Sequence, residues 1–244
     1  MRSHASLTYE QAQAAIDGTP DKATAPLLAT VLEPLYAAFA ALLRARAKRQ
    51  PLELDLPERQ IVLSDTGQVQ SVAFKERLDA HRLIEECMVL ANVAAAQTLQ
   101  SKRQALLYRV HEEPEPDRLE ALREVAQTAG LNLAKGQVLQ TAHLNRLLSQ
   151  AAGHEAAELI NLSTLRAMSQ AYYNAENFGH FGLAVKSYAH FTSPIRRYAD
   201  LVVHRALIAA HGWGEDGLGP EEAETLEKTA EHISQTERRS MAAE

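Results

Sequence analysis

The chain has 244 residues, 46% of them apolar, and a formal net charge of −6. That is enough apolar material for a core of its own, and the acidic balance excludes a global pull toward nucleic acid, so any polyanion must be held by a local patch. The lone cysteine, Cys87, excludes a disulfide framework and a cysteine-based zinc site and suits a cytoplasmic location.

Thr8 is placed to cap a short helix that Asp17-Gly18-Thr19-Pro20 ends. From Thr24 to Lys48, Leu27, Leu28, Val31, Leu32, Leu35 and Phe39 recur at helical spacing, Pro34 predicts a kink or a restart, and the basic run Arg44–Arg49 suits a helix C-terminus. Between residues 52 and 75 the period falls to two, with LELDL, RQIVLSD and QVQSVAFK predicting a small antiparallel meander turned at Asp65-Thr66-Gly67. A long helix is expected from Arg77 to Ser101, a strand over Leu106–His111, and a break at Glu112–Pro116. Further helices are expected over 117–129 with Gly130 past its end, 140–151 and 155–173. Gly179–Phe191 reads as extended, the Gly-rich 211–220 stretch as a flexible surface excursion, and Pro220–Glu244 as a final helix. The expected fold is therefore α+β, helix-dominated with a small antiparallel sheet, as one domain over residues 1–244. No apolar run reaches the roughly 18 residues of a membrane span, and no signal-peptide core follows Met1-Arg2-Ser3-His4. The protein is expected to be soluble, with no membrane partner.

The chemistry concentrates in Ser187–Leu207, SYAHFTSPIRRYADLVVHRAL. Thr192 or Ser193 can cap a helix that opens with Pro194, which puts Arg196 and Arg197 in the first turn. Cations there oppose the helix dipole, so either an anion such as phosphate satisfies them or one of them pairs with Asp200. Tyr188, Phe191 and Tyr198 are expected to serve packing. His180, His190 and His204 fall at spacings unsuited to one helix face, and no general base is assigned to them; among the ten histidines no His-Glu-x-x-His pair occurs.

This stretch, with NAENFGHFGLAVKSYAHF before it, RLDAHRLIEECMVLANVAAA at 77–96 and RSHASLTYEQAQAAIDG at 2–18, resembles the catalytic domain of the ribonuclease II/R family, closest to its ribonuclease R branch. The segments occur in the family's order. The resemblance implies processive 3′→5′ hydrolysis of single-stranded RNA to nucleoside 5′-monophosphates, assisted by Mg²⁺ on clustered aspartates. This sequence has no Asp-Asp pair, and its aspartates are scattered from Asp17 to Asp216, so no metal ligand is assigned. The chain is therefore expected to be the C-terminal part of an RNB-type catalytic domain. Its partners would be single-stranded RNA, an Asp-bearing N-terminal part and flanking RNA-binding domains. A non-catalytic RNA-binding relative lacking the aspartates is the alternative.

The resemblance also implies residue roles. Arg196 matches the arginine that grips the scissile phosphate, and Arg197 falls where an adjacent phosphate could be held. Tyr9 and Glu86 match residues near the ribose of the 3′-terminal nucleotides, where a carboxylate can accept from a 2′-OH. Glu244 aligns with a glutamate near the active site, and one base-stacking position falls on Leu54, making that face aliphatic.

Overall fold

The computed structural model describes residues 3–56, 59–64, 66–74, 77–136 and 138–243. The chain divides into two compact units, Met1–Lys48 with Asp55–Met88, and Arg49–Leu54 with Val89–Glu244.

In the first unit, Thr8 opens helix α1 (Tyr9–Ile16) through a reciprocal cap: Gln11 N donates to Thr8 Oγ1 at 3.2 Å, and Thr8 N donates to Gln11 Oε1 at 3.0 Å. The apolar stretch that follows is not one α-helix. It runs through a 3₁₀ turn (Ala25–Leu27) and a π-helical turn (Leu28–Leu32) into α2 (Glu33–Arg49). The irregular turns lie just before Pro34, whose missing N–H interrupts the helical ladder there. By length and composition Ala25–Arg49 is long and apolar enough to cross a membrane, which corrects the expectation that no run of that kind is present. Alanines among the leucines raise the mean hydropathy of the whole segment, although Glu33 and Pro34 interrupt the run. A leader or a core helix gives the same signature.

Strands β1 (Arg59–Leu63) and β2 (Val69–Phe74) form an antiparallel hairpin with Ile61 opposite Val72. Asp65 of the expected turn lies outside the described residues. The meander expected over 52–75 lacks its first strand, because side chains and a loop take those backbone groups instead. Glu53 N donates to Asn145 Oδ1 at 2.9 Å, Pro51 O accepts from Asn145 Nδ2 at 2.8 Å, and Leu52 N donates to Gly182 O at 2.8 Å.

Helix α3 (Asp79–Ser101) follows. The second unit pairs β3 (Tyr108–Val110) with β4 (Tyr172–Asn174), Arg109 opposite Tyr173. It adds α4 (Pro116–Thr128), α5 (Thr141–Ala151), α6 (Ala157–Ala167), α7 (Tyr198–His211), α8 (Pro220–Glu224) and α9 (Leu226–Met241). The helix expected to reach residue 173 stops at Ala167. Residues beyond it are claimed by β3 and by Ser234 Oγ, which accepts from Tyr173 N at 2.9 Å. Gly130, at φ +72°, ends α4 as expected, and Leu131 N closes the cap on Ala126 O at 2.8 Å.

Two apolar clusters fill this unit. One joins Leu99, Leu107, Val110, Val203 and Ala206; the other joins Leu122, Leu144, Leu147 and Ile160, with Leu54 half-buried against it. A fully buried leucine or valine contributes about 1.5–3 kcal/mol. The Gly-rich stretch after α7, exposed over residues 212–216, is tied down at Asp216–Gly217. Arg205 donates to Asp216 O and Gly217 O, each at 3.1 Å, and pairs with Glu222, while a Cβ on Gly217 would stand 2.9 Å from Ala209 Cα. Only a glycine permits that approach.

Candidate nucleic-acid interface

The arginine turn is built from Ser193 outward. Ser193 O accepts from Arg196 N at 3.3 Å and from Arg197 N at 3.2 Å, so Pro194–Arg196 make one isolated turn. Helix α7 begins only at Tyr198, with Arg197 as its extended N-cap residue (φ −132°, ψ 119°), which corrects the helix start expected at Pro194. The physical reason is Asp200. From the helix's first turn its Oδ1 accepts from Ser193 N at 2.7 Å, which fixes the chain reversal before the helix begins.

Asp200 takes one of the two arginines as its partner. It is fully buried, and Arg197 meets it with two parallel bonds, Nε to Oδ2 at 2.7 Å and Nη2 to Oδ1 at 2.8 Å. Arg197 is thus committed to an internal ion pair. Arg196 is exposed, its guanidinium reaches only Ser193 Oγ at 3.5 Å, and it meets no carboxylate among the described residues. A cavity of about 700 Å³ opens beside it, lined by Tyr173, Arg196, Arg197, Tyr198, His232 and Glu237 among others. Arg109 lies 4.6 Å over the Tyr173 ring and pairs with Glu237 at 2.7 Å, so its charge is also balanced. Among the described residues, the uncompensated arginine of this cleft is Arg196.

Tyr188 and Phe191 pack as expected, Tyr188 buried and Phe191 stacked on His204 at 4.4 Å. Tyr198 does not: it is 54% exposed and lines the cleft. The signal is present in the helical period, since Ala199, Val202, Val203 and Ala206 define the inner face of α7 and leave position 198 outside it. Burial pushes His180 and His190 each down to about 3, with neighbouring cations adding to the effect; both are neutral framework groups.

The other two described site residues lie in the first unit. Tyr9 is exposed at the start of α1, its ring stacked on His81 at 4.1 Å. Glu86 is only 4% exposed, and its Oε1 accepts from Arg46 Nη1 at 2.6 Å. The basic end of α2 therefore supplies a specific partner and not merely a complement to the dipole. Glu244 lies outside the described residues. No group of three or more His, Cys, Asp or Glu side chains able to hold a metal occurs among the described residues. Those residues do not make a Mg²⁺ site.

The fold has counterparts in known proteins. The family model of the RNB domain matches residues 1–212, and the chain belongs to that family. Its curated relatives include ribonucleases R. It is 42% identical over 208 residues to the enzyme of Vibrio parahaemolyticus, covering 85% of this chain and 25% of that protein. It is 36% identical over 249 residues to the enzyme of Escherichia coli K12, covering 98% and 30%. Among solved structures, ribonuclease R of Mycoplasma genitalium in complex with ribose-methylated single-stranded RNA superposes with a TM-score of 0.85 at 26% identity, over 97% of this chain and 37% of that one. The chain thus spans 25–30% of the length of these two curated relatives.

Proposed function

We propose that this chain is the phosphate-gripping, C-terminal portion of the catalytic domain of a cytoplasmic, processive 3′→5′ exoribonuclease that releases nucleoside 5′-monophosphates from single-stranded RNA. The observation that carries it is Arg196: an exposed guanidinium without a carboxylate partner among the described residues, on a turn braced by Asp200 beside an open cleft. A planar, permanently charged donor fork in that setting is suited to a phosphate. Tyr9, exposed at the start of α1, would face the ribose end of the RNA, with Glu86, buried against Arg46, supporting that end from within the first unit, and Glu244 would lie near the same substrate. Arg197 contributes through Asp200 rather than by its own phosphate contact. The metal-binding aspartates for Mg²⁺ and the flanking RNA-binding domains would come from elsewhere in a longer protein.

The absence of a metal-capable cluster among the described residues favours a second reading, an RNA-binding relative without catalysis. A chimera tests whether this chain supports catalysis once the metal-bearing part is supplied: this chain replaces its counterpart in the Escherichia coli relative, and Mg²⁺-dependent release of mononucleotides from oligoadenylate is followed. The exonuclease reading expects activity, reduced about 10²-fold or more by Arg196→Ala, the scale of losing one transition-state donor. A folded, RNA-binding but inactive chimera would support the second reading. Full activity in the Arg196→Ala version would remove Arg196 from the site.

A further inference from the structure

Arg196 can grip a phosphate only if the backbone beneath it is held, and among the described residues the N–H groups of the segment entering its turn have side-chain partners only, while the Phe191 carbonyl meets His204 Nε2 at 2.8 Å. Phe191 N and Thr192 N both donate to one side-chain atom, Asn92 Oδ1, at 2.9 and 3.2 Å. Ser193 N goes to Asp200, and Pro194 has no N–H to give. Asn92 stands on α3 within the second unit and is 2% exposed, so it does not meet a ligand itself. Its amide cannot flip without loss, because Nδ2 donates to Tyr188 Oη at 2.9 Å and a flip would face two backbone N–H groups with another donor. Thr192 gives the segment no anchor of its own, since its buried Oγ1 has no partner among the described residues. A buried hydroxyl in that state is unfavourable, so the segment stays in place because other contacts determine it.

We infer that Asn92 is a positioning residue for Arg196: by taking the N–H groups of Phe191 and Thr192 it sets the height and direction of the arginine turn. The inference rests on the phosphate role of Arg196. It also separates Asn92 from the apolar residues of α3, which bury area but fix no single backbone atom. Displacements near 1 Å at a reacting or gripping group are enough for losses of about 10²-fold.

The test measures binding of a fluorescent single-stranded oligoadenylate to the full chain for wild type, Arg196→Ala, Asn92→Ala, their double variant, and Asn92→Asp. Asn92→Ala is expected to weaken binding about tenfold, as Arg196→Ala does, the scale of one charge-assisted contact, and to add nothing further in the Arg196→Ala background. Asn92→Asp is expected to stay near wild type, because a carboxylate offers the same acceptors to Phe191 and Thr192 and can accept a hydrogen bond from the Tyr188 hydroxyl. Equal losses from Asn92→Ala in both backgrounds would overturn the inference while leaving Arg196 in place. No loss from Arg196→Ala would overturn the phosphate reading and this inference with it. Should Asn92→Ala not fold, Asn92→Asp decides: near-native affinity with protected Phe191 and Thr192 amides in hydrogen exchange supports the inference, and a tenfold loss with unprotected amides overturns it.

Discussion

Arg197→Ala is expected to lower the stability of the second unit by about 3–5 kcal/mol, the cost of leaving a buried charge without its partner. Asp200 has no exposed surface, and among the described residues only the Ser193 N–H would remain as its donor after the guanidinium is removed. The neighbouring Arg196→Ala removes an exposed side chain without an ion pair among the described residues and is expected to change stability by no more than about 0.5 kcal/mol. Urea unfolding of the two variants checks this. A clearly lower midpoint for Arg197→Ala alone is the expected result; equal midpoints would contradict the division of labour between the adjacent arginines. The contrast matters for function, because loss of RNA binding in Arg197→Ala would then report a lost fold and not a lost phosphate contact.

Acidification from pH 7.5 to 5 is expected to destabilise the same unit by about 4 kcal/mol, about 2 kcal/mol from each of two buried histidines. His180 and His190 are held down to about 3 in the folded chain, chiefly by burial, against an ordinary value of 6.5. Below 6.5 the unfolded chain takes up protons that the folded chain refuses. The stabilisation is therefore complete above that pH and is lost as pH falls toward 3. Burial lowers His111 as well, and its protonation opposes folding in the same direction. The rings are part of one packed row: His111 and His180 centroids lie 5.0 Å apart, His180 and Tyr188 5.1 Å, Tyr188 and His190 5.8 Å, and Tyr173 Oη is 2.8 Å from His190 Nδ1. Chemical-denaturation midpoints across this pH range test the prediction, and His190→Asn should flatten the dependence by about half. A midpoint constant from pH 7.5 to 5 would show that these rings are not buried neutral.

Features whose cause is local are legible in the order of residues alone. Thr8 and Gln11 are three residues apart, and Gly130 sits where a helix must reverse, so chain-neighbour chemistry suffices for both. The family and the helix-dominated α+β fold are equally legible, because several motifs recur in a fixed order over most of the chain. Where local pattern misleads, the deciding contact is distant. A Ser-Pro step locally favours a helix start, but Asp200 reaches back to Ser193 and delays the helix to Tyr198. LELDL alternates like a strand, yet within it Glu53 is taken by Asn145, 92 residues away. The Arg46–Glu86 and Asn92–Tyr188 contacts span 40 and 96 residues, and no spacing rule can propose them. The arginine pair is half legible: its charge is evident, but which arginine is spent on Asp200 depends on side-chain geometry.

On the proposed reading, Arg196 holds an RNA phosphate while Arg197 does not. Each phosphate neutralised on a single strand changes the slope of log affinity against log salt by about 0.7. The most direct measurement is therefore the salt dependence of oligoadenylate binding to this chain, wild type beside Arg196→Ala. Weaker binding and a slope shallower by about 0.7 are expected in the variant. Identical affinities and identical slopes would contradict that reading.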